Sequence, residues 1–290
     1  MTVELVEQAA AWRKTLDAAR ARGQQVGLVP TMGALHAGHM SLIRKAAAEC
    51  DVVTVTDYVN PLQFGPSEDL TTYPRDLRGD CRLAAEAGAH VLFAPTTEEL
   101  WPRPPTTSVR VEGLSETLEG ASRPGHFDGV ATVVVKLFSL AGPCWAYFGE
   151  KDYQQLVVIR RMAADLSLPV EVIGCPTVRQ PDGLALSSRN SYLTPKERSA
   201  APQLYYALLA GKRAVEDDAL TDPDRVVEAM AAALARQPAF SLDYAEVADP
   251  ETLDRPTRIE AEVRLLMAAR IGRARLIDNL PATPPSSTDT

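Results

Sequence analysis

The chain has 290 residues, of which 46% are hydrophobic, and a formal net charge of −8 at pH 7. This length and apolar content suit one large or two modest domains with a sizeable core. The negative charge argues against a general nucleic-acid surface, so we expect no nucleic-acid partner and only local binding of polyanions. No apolar run is long enough to span a bilayer, and no membrane partner is expected.

The N-terminal region and the cysteines carry no secretion or metal signal. The first 24 residues mix charges at helical spacing and contain no uninterrupted apolar segment, which predicts a cytoplasmic protein. The cysteines are widely scattered, without a C-x-x-C pair or the spacing of metal ligands. We therefore expect reduced thiols and no metal site built from protein ligands at Cys50, Cys81, Cys144 and Cys175.

Strand-like and helix-like segments alternate through the first two thirds of the chain. Short apolar runs predict buried strands at residues 25–29, 51–55, 90–93, 145–148 and 170–173. Helical spacing predicts helices between them at residues 40–50, 75–87, 127–140 and 153–166. The alternation predicts an α/β fold with a doubly wound, Rossmann-like parallel sheet, which binds its ligand at the carboxyl ends of the strands.

The pattern changes after Gly183. Ala-rich helices are predicted at residues 197–215 and 224–236, and short strands without crossover helices at residues 242–247, 264–267 and 274–277. We therefore expect residues 1–182 to form the Rossmann-like domain and residues 183–280 a smaller α+β domain. Residues 281–290 are mostly Pro, Ser and Thr, which predicts a disordered tail.

The most informative motif is His36-Ala37-Gly38-His39, which lies between a predicted strand and a helix-like stretch that begins at Met40. The first turn of a helix has unpaired N–H groups and a partial positive charge, both of which attract phosphate. Gly38 allows a phosphate to approach the backbone, and the two imidazoles can each donate an N–H to its oxygens. The motif indicates a nucleotide triphosphate site; the alternative is a pair of solvated or helix-capping histidines.

Two later segments carry groups suited to the same ligand. Lys151 follows a strand that ends in Gly149, so a cation is expected at the edge of the sheet. Asp152 would accept a hydrogen bond from a ribose hydroxyl or cap a helix. Compact phosphate donors follow a Pro-Asp-Gly turn at Ser187, Ser188 and Arg189. The alternatives are a surface Lys–Asp pair and a polar loop with an N-cap serine.

A fourth segment places the uncharged amides of Asn60 and Gln63 beside apolar Leu62 and Phe64. Such a combination suits a small substrate that has hydroxyl and methyl groups, although solvation of a loop is the alternative. The glycine-flanked segment at residues 123–129 is expected to be a mobile cover or a dimer contact, and its histidine does not by itself indicate catalysis.

Together these segments resemble the pantothenate synthetase family. The resemblance runs in order from about residue 30 to residue 280 and rests on residues 30–39, 60–64, 123–129, 148–155 and 187–190. It implies condensation of pantoate with β-alanine through a pantoyl adenylate, driven by cleavage of ATP to AMP and pyrophosphate. It also implies a Mg²⁺ ion carried by the phosphates, a homodimer, and a likeness to class I aminoacyl-tRNA synthetases in fold and in the H-x-G-H element.

The resemblance assigns roles by position. The catalytic residues would be His36, His39, Lys151 and Arg189, with His39 as the proton donor. The ATP site would comprise Met32, Gly33, Ala34, Leu35, His36, Ala37, Gly38, His39, Gly149, Glu150, Lys151, Asp152, Val178, Leu186, Ser187, Ser188 and Arg189. Within it, Asp152 would lie near ribose, the backbone of Val178 would hold adenine, and residues 186–189 of a lid domain would close over the phosphates. Pantoate would be bound by Gln63, Gln155 and Asn60, with Gln63 also beside β-alanine.

The chain departs from the family pattern at two places. Leu186 stands where methionine is common, and the similar volumes of the two side chains should preserve packing. Asp57 and Tyr58 stand in a segment that is commonly apolar, and a buried Asp57 would cost stability unless it were paired or faced solvent.

Two other functions use part of this pattern. A related cytidylyl- or adenylyltransferase would need the H-x-G-H element but not the amides, and pantoate-dependent pyrophosphate exchange would distinguish it. A nucleotide-binding regulatory module without catalysis would show no turnover.

Overall fold

The computed structural model describes residues 2–65 and 70–285, which form two compact units. The first unit consists of the described residues up to Glu150 together with Gln154–Pro176. The second consists of Lys151–Tyr153 and the described residues from Thr177 onward. The expected boundary after residue 182 therefore lies a few residues too late. The segment that follows Thr177 is tied into the second unit by the ion pair of Arg179 with Asp278.

The first unit contains the predicted parallel sheet. All six strands pair in parallel, in the order β1-β4-β3-β2-β5-β6. Their bounds are β1 (Glu4–Val6), β2 (Val26–Thr31), β3 (Val52–Asp57), β4 (Val91–Phe93), β5 (Cys144–Gly149) and β6 (Val170–Cys175). The strand order reverses between β2 and β5, and in such sheets ligands bind in the crevice outside the carboxyl ends of the strands at that point. The fold prediction is confirmed.

Helices connect these strands. They are α1 (Ala9–Ala21), α2 (Ala37–Glu49), α3 (Leu77–Ala87), α4 (Thr97–Leu100), α5 (Glu119–Ser122), α6 (His126–Ala141) and α7 (Tyr153–Asp165). Neither β1 nor α1 was predicted from the sequence. Buried residues of α1 recur at helical spacing, and one of them, Trp12, stacks on Phe93 with ring centroids 4.2 Å apart. Its indole N–H also donates to the Thr54 hydroxyl at 2.8 Å, so α1 is held on the sheet by both packing and a buried hydrogen bond.

The second unit is α+β, as predicted. Its helices are α8 (Pro195–Ala200), α9 (Gln203–Glu216) and α10 (Pro223–Ala235), and its strands are β7 (Phe240–Ala248), β8 (Val263–Ile271) and β9 (Ala274–Ala282). The strands form an antiparallel sheet in the order β7-β8-β9. The single helix expected at residues 197–215 is two helices. Pro202 separates them because proline lacks the N–H that a helix interior requires.

The expected disordered tail begins too early. Pro281 and Ala282 belong to β9 and pair with Arg264 and Val263 of β8. Thr283 then donates its backbone N–H to the Glu216 carboxylate at 3.1 Å. Residues 286–290 of the predicted tail lie outside the described residues. Among the helices that the structure describes, none is long and apolar enough to cross a membrane.

Candidate active site

The segment that follows β2 is bent by two successive left-handed residues. Gly33 has φ +76° and Ala34 has φ +51°, a conformation that non-glycine residues rarely adopt. A Cβ on Gly33 would overlap the carboxylate of Asp57, so glycine is required at this position. The bend leads the chain from the carboxyl end of β2 directly into α2.

His36 is the N-cap of α2 and pairs with His39 in a capping box. The Nδ1 atom of His36 accepts the backbone N–H of Gly38 at 3.1 Å, and the Nδ1 atom of His39 accepts the backbone N–H of His36 at 3.4 Å. Their rings stack with centroids 4.1 Å apart. Because both Nδ1 atoms are acceptors, each neutral imidazole carries its proton on Nε2. The histidines therefore cap the helix and keep an N–H donor in a defined tautomer.

The backbone amides of this segment are largely used within the protein. Gly38 donates to His36, and Ala34 and Leu35 donate to the two oxygens of the Asp80 carboxylate at 2.9 Å and 2.7 Å. The sequence analysis treated backbone amides as the first phosphate donors. In the structure the two imidazoles of the H-x-G-H element each carry an Nε2–H group in addition to the backbone amides. The helix begins at Ala37, whereas the sequence predicted a start at Met40.

Asp57 and Asp80 form a buried carboxyl pair beside this segment. Asp80, at the start of α3, is only 2% exposed, and Asp57 is half-buried at the end of β3. Burial, together with the charge and hydrogen bond of the neighbouring Asp80 carboxyl, raises the pKa of Asp57 to about 7. Asp57 is therefore paired, but with a second acid. Tyr58 is buried, and burial raises the pKa of its hydroxyl.

The amide cluster is built around Asn60, which is 1% exposed. Its Nδ2 donates to the Gln63 Oε1 at 3.0 Å and to the carbonyl of Gly129 at 3.1 Å, and its Oδ1 accepts the N–H of Leu62. The Nε2 of Gln63 lies 3.0 Å from the Met32 Sδ. Asn60 therefore ties the Gln63 side chain to the start of α6, and Gln63 is the more exposed of the two amide residues.

The segment at residues 123–129, expected to be a cover or a dimer contact, packs against Gln63. The Nε2 of His126 lies 2.9 Å from Arg123 Nη1, and its Nδ1 lies 2.9 Å from the Gln63 carbonyl oxygen. A Cβ on Gly129 would overlap the backbone of Leu62, so this glycine allows α6 to approach the amide cluster closely. The segment supports a candidate substrate residue.

Two adjacent glutamines of α7 have different environments. Gln154 is 3% exposed, accepts the backbone N–H of Glu119 and donates to the carbonyls of Leu114 and Thr117. Gln155 is half-buried, and its side chain makes no hydrogen bond with residues 2–65 or 70–285. Gln154 is thus hydrogen-bonded within the fold, whereas the described residues do not engage the side-chain amide of Gln155.

The second unit contains the predicted cations. The Lys151 Nζ lies 3.3 Å from Asp152 Oδ1, which is the Lys–Asp pair considered in the sequence analysis. The backbone carbonyl of Lys151 accepts the Asn279 Nδ2 at 2.9 Å, and Tyr153 lies beneath the Arg264 guanidinium at 3.9 Å. These contacts fix the backbone from which the Lys151 side chain extends.

The serine-containing segment also lies in the second unit. Leu186 donates its N–H to the carbonyl of Val178 at 2.9 Å, so these two predicted ATP residues are neighbours. Ser187 caps the short 3-10 helix Ser188–Tyr192 and accepts the Arg189 N–H at 3.3 Å, as the alternative of an N-cap serine predicted. The Arg189 side chain is exposed and makes no ion pair with any residue that the structure describes.

Several supporting residues were not identified from the sequence: Asp80, Arg123, Gln154, Arg264 and Asn279. Only Asp80 has a sequence signal, an acidic residue in the first turn of a helix. No group of three or more His, Cys, Asp or Glu side chains that could hold a metal ion is found within the described part of the chain.

Comparisons with known proteins agree along almost the whole chain. A family model described as Pantoate-beta-alanine ligase matches residues 4–281. The pantothenate synthetase of Moorella thermoacetica is 50% identical over 281 residues, which cover 96% of this chain and 98% of the relative. The pantothenate synthetase of Rhizobium johnstonii is 52% identical over 267 residues, which cover 92% and 88% of the two chains.

Solved structures show the same similarity. The crystal structure of pantothenate synthetase from Thermus thermophilus matches with a TM-score of 0.91 and 49% identity, over 97% of this chain and 100% of that chain. The pantoate-beta-alanine ligase of Francisella tularensis, crystallised in complex with beta-gamma ATP and beta-alanine, matches with a TM-score of 0.79 and 34% identity. That match covers 96% of this chain and 97% of the other.

Proposed function

The chain belongs to the pantoate-beta-alanine ligase family and is an ATP-dependent ligase of pantoate and β-alanine, and we propose that it works through a pantoyl adenylate. The observation that carries the proposal is the pair of stacked histidines, His36 and His39, at the carboxyl end of β2. Their Nε2–H groups are donors held in one tautomer beside the point where the strand order reverses, where an α/β sheet binds its ligand. Release of AMP and pyrophosphate would accompany the ligation.

The first step attaches the pantoate carboxylate to the α-phosphorus of ATP and expels pyrophosphate. The carboxylate is already a nucleophile, so the step needs no general base. It needs orientation and stabilisation of the charge that grows on the phosphates. We assign this stabilisation to His36, His39, Lys151 and Arg189, with the proton donor at His39 as the resemblance implies.

Mg²⁺ would enter with ATP as part of the substrate. When bound, the ion would neutralise part of the phosphate charge.

The remaining nucleotide contacts are assigned by position in the same proposal. Backbone and side chains of the strand-to-helix segment would line ATP, Asp152 would lie near ribose, and Val178 would hold adenine. The full set is Met32, Gly33, Ala34, Leu35, Ala37, Gly38, Gly149, Glu150, Leu186, Ser187 and Ser188, in addition to those named above. Since Ala34 and Leu35 donate their N–H groups to Asp80, their contribution would be packing against the nucleotide.

The substrate amides would be Gln63 and Gln155, with Asn60 holding Gln63 from behind. Pantoate has two hydroxyls, two methyls and a carboxylate, and an amide can donate to or accept from each polar group. In the second step the unprotonated amine of β-alanine attacks the acyl carbon and expels AMP. No protein nucleophile is needed.

A homodimer and a cytoplasmic location complete the proposal. The first rests on the family resemblance and is tested by light scattering of the purified protein. The second agrees with the state of the cysteines, which are all free thiols.

The test is release of AMP from ATP and Mg²⁺ with and without each substrate. The proposal requires AMP release that depends on pantoate, and pyrophosphate exchange into ATP that needs pantoate but not β-alanine. Exchange without pantoate would favour a nucleotidyltransferase, and ATP binding without turnover would favour a regulatory module.

A further inference from the structure

The bend between β2 and α2 is held by one carboxylate. Both oxygens of Asp80 accept backbone N–H groups, from Ala34 at 2.9 Å and from Leu35 at 2.7 Å. Successive N–H groups around a left-handed residue form a concave anion site of the kind that binds phosphate elsewhere. Here an internal carboxylate fills that site and restrains the strained φ of Ala34.

A second acid lies against this restraint. The Asp57 carboxyl is hydrogen-bonded to Asp80, and it also fills the space where a Cβ of Gly33 would stand. Two carboxyl groups can form a hydrogen bond only when they share a proton.

We propose that Asp57 and Asp80 are positioning residues for the ATP-binding segment, in which a proton held between the two carboxyls keeps Asp80 aligned to bind the amides of Ala34 and Leu35. This inference rests on the proposed role of residues 32–39 in ATP binding. Loss of the proton leaves two adjacent carboxylates that repel each other. The Asp57 carboxylate then presses on Gly33, and the amide pair loses its fixed acceptor.

The described residues around the pair offer no cation to offset that repulsion. The titratable groups that face Asp57 are Asp80 and Cys81, both on α3; burial raises the pKa of the Cys81 thiol, and the charges of the two acids raise it further. The strands on either side, β2 and β4, contain no ionisable residue, and neither does the segment of residues 32–35. The shared proton of this pair would therefore act on the bend through the two hydrogen bonds by which Asp80 holds Ala34 and Leu35.

The test compares ATP binding by the wild type and Asp57→Asn, measured by calorimetry with a non-hydrolysable ATP analogue at about pH 6 and about pH 8.5. Asparagine keeps the shape and the donor of a protonated aspartate but does not titrate. We expect ATP affinity to fall about tenfold more in the wild type than in Asp57→Asn over this range, the size expected for one charge-assisted hydrogen bond. Titration of ATP and of the two histidines is common to both proteins and cancels. An ATP affinity that falls by the same factor in the wild type and in Asp57→Asn would overturn the proposal.

Asp80→Asn tests the other half of the pair, because an asparagine can accept only one of the two amides. We expect ATP affinity to fall about tenfold at both pH values with pantoate affinity unchanged. Equal losses for both ligands would make Asp80 a general support of the fold and would also overturn the proposal. Glu86→Gln, an exposed change on the same helix, is the matched control.

Nuclear magnetic resonance separates this inference from the proposed function, because it needs no ATP. In protein labelled with ¹³C in the aspartate carboxyls and ¹⁵N in the backbone, the amide signals of Ala34 and Leu35 should shift together with a carboxyl titration near neutral pH. The shift should vanish in Asp57→Asn. If ATP fails to bind but the coupled shift is present, the positioning of the bend stands and the proposed function fails. If the amide signals of Ala34 and Leu35 did not shift with the carboxyl titration, the positioning role would be wrong.

Discussion

The Nδ1 atom of His126 lies 2.9 Å from the carbonyl oxygen of Gln63, while its Nε2 faces the guanidinium of Arg123 at 2.9 Å. Because arginine only donates hydrogen bonds, Nε2 must accept and the proton must lie on Nδ1. His126 is therefore a neutral donor that fixes the backbone of a candidate substrate residue. It lies at the first position of α6, so a rigid helix carries this restraint.

His126→Ala should raise the KM for pantoate about two- to tenfold, the range for loss of one neutral hydrogen bond. The KM for ATP should remain unchanged, because the hydrogen bonds of His126 go to Arg123 and to Gln63, which lie outside the H-x-G-H element. Steady-state kinetics with each substrate varied in turn is the measurement. His126→Asn retains a donor and should recover part of the loss; a rise in both KM values by the same factor would contradict the positioning of Gln63.

The sheet was predictable because each central strand is a short apolar run with a buried pattern, as at Val52–Asp57. α1 was not predictable with the same ease, because its three buried residues, Trp12, Leu16 and Ala19, are separated by charged ones. The β-strands of the second unit are longer than predicted. For example, the strand Val263–Ile271 includes two alanines, and alanine has no strand preference of its own. These alanines belong to the strand because it pairs with a neighbouring strand on each side, which buries them.

His36→Asn and His36→Ala separate the two roles of the N-cap. Asparagine is a good N-cap, so His36→Asn should leave stability nearly unchanged, whereas His36→Ala should lower the free energy of unfolding by about 1 kcal/mol. Both should lower kcat of adenylation by about two to three orders of magnitude, because alanine has no N–H donor and the shorter asparagine side chain does not reach the position of the His36 Nε2–H. Chemical denaturation and pyrophosphate exchange give the two readouts. If pyrophosphate exchange were normal in His36→Asn and reduced only in the less stable His36→Ala, His36 would act only as a helix cap.

Gln155→Ala and Gln154→Ala are matched variants of neighbouring residues. Gln155→Ala should raise the KM for pantoate by about tenfold or more and leave unfolding unchanged, because a ligand hydroxyl loses its partner. Gln154→Ala should instead lower the free energy of unfolding by about 1–3 kcal/mol, because the buried N–H of Glu119 and the carbonyls of Leu114 and Thr117 lose their partner. Kinetics and denaturation of both variants check the assignment, which the reverse pattern would refute.

Lys151→Ala should slow adenylate formation far more than attack of β-alanine on preformed pantoyl adenylate. The reason is that Lys151 is assigned to the phosphates that leave as pyrophosphate before the second step. Rapid-quench measurement of the two half-reactions is the test. Asn279→Ala removes the hydrogen bond to the Lys151 carbonyl and should give a weaker effect of the same kind. Equal loss in both half-reactions would argue that Lys151 is not a pyrophosphate ligand.

Protonation of Asp57 should make stability depend on pH. Its pKa rises from 3.8 for an ordinary Asp to about 7 in the folded protein, so below about pH 7 the folded state holds a proton that the unfolded state releases. The resulting stability is fully present below about pH 4 and is lost as pH rises through about 7. Relative to Asp57→Asn, the wild type should lose about 1–2 kcal/mol between about pH 5 and about pH 8, a value discounted for solvent screening of a half-buried group. Chemical denaturation at each pH is the measurement. A free energy of unfolding that changes equally with pH in the wild type and in Asp57→Asn would contradict this prediction.

The motifs of the candidate site were visible in the sequence, but their supports were not. The H-x-G-H element and the amides lie close to strand ends, and local sequence patterns are enough to predict where a strand ends. Asp80, by contrast, lies 46 residues from Ala34, and Gly129 lies 69 residues from Asn60. Such contacts depend on tertiary packing. The tautomers of His36 and His39 depend on which backbone amide each Nδ1 accepts, which a motif does not specify.

The central claim is that pantoate is activated as an adenylate, and transfer of oxygen isotope tests it most directly. Pantoate labelled with ¹⁸O in both carboxylate oxygens is turned over with ATP, Mg²⁺ and β-alanine, and the AMP is analysed by mass spectrometry. Attack of the carboxylate on the α-phosphorus, followed by cleavage of the acyl–oxygen bond, predicts one ¹⁸O atom in each AMP formed. AMP that contains no ¹⁸O would contradict a pantoyl adenylate.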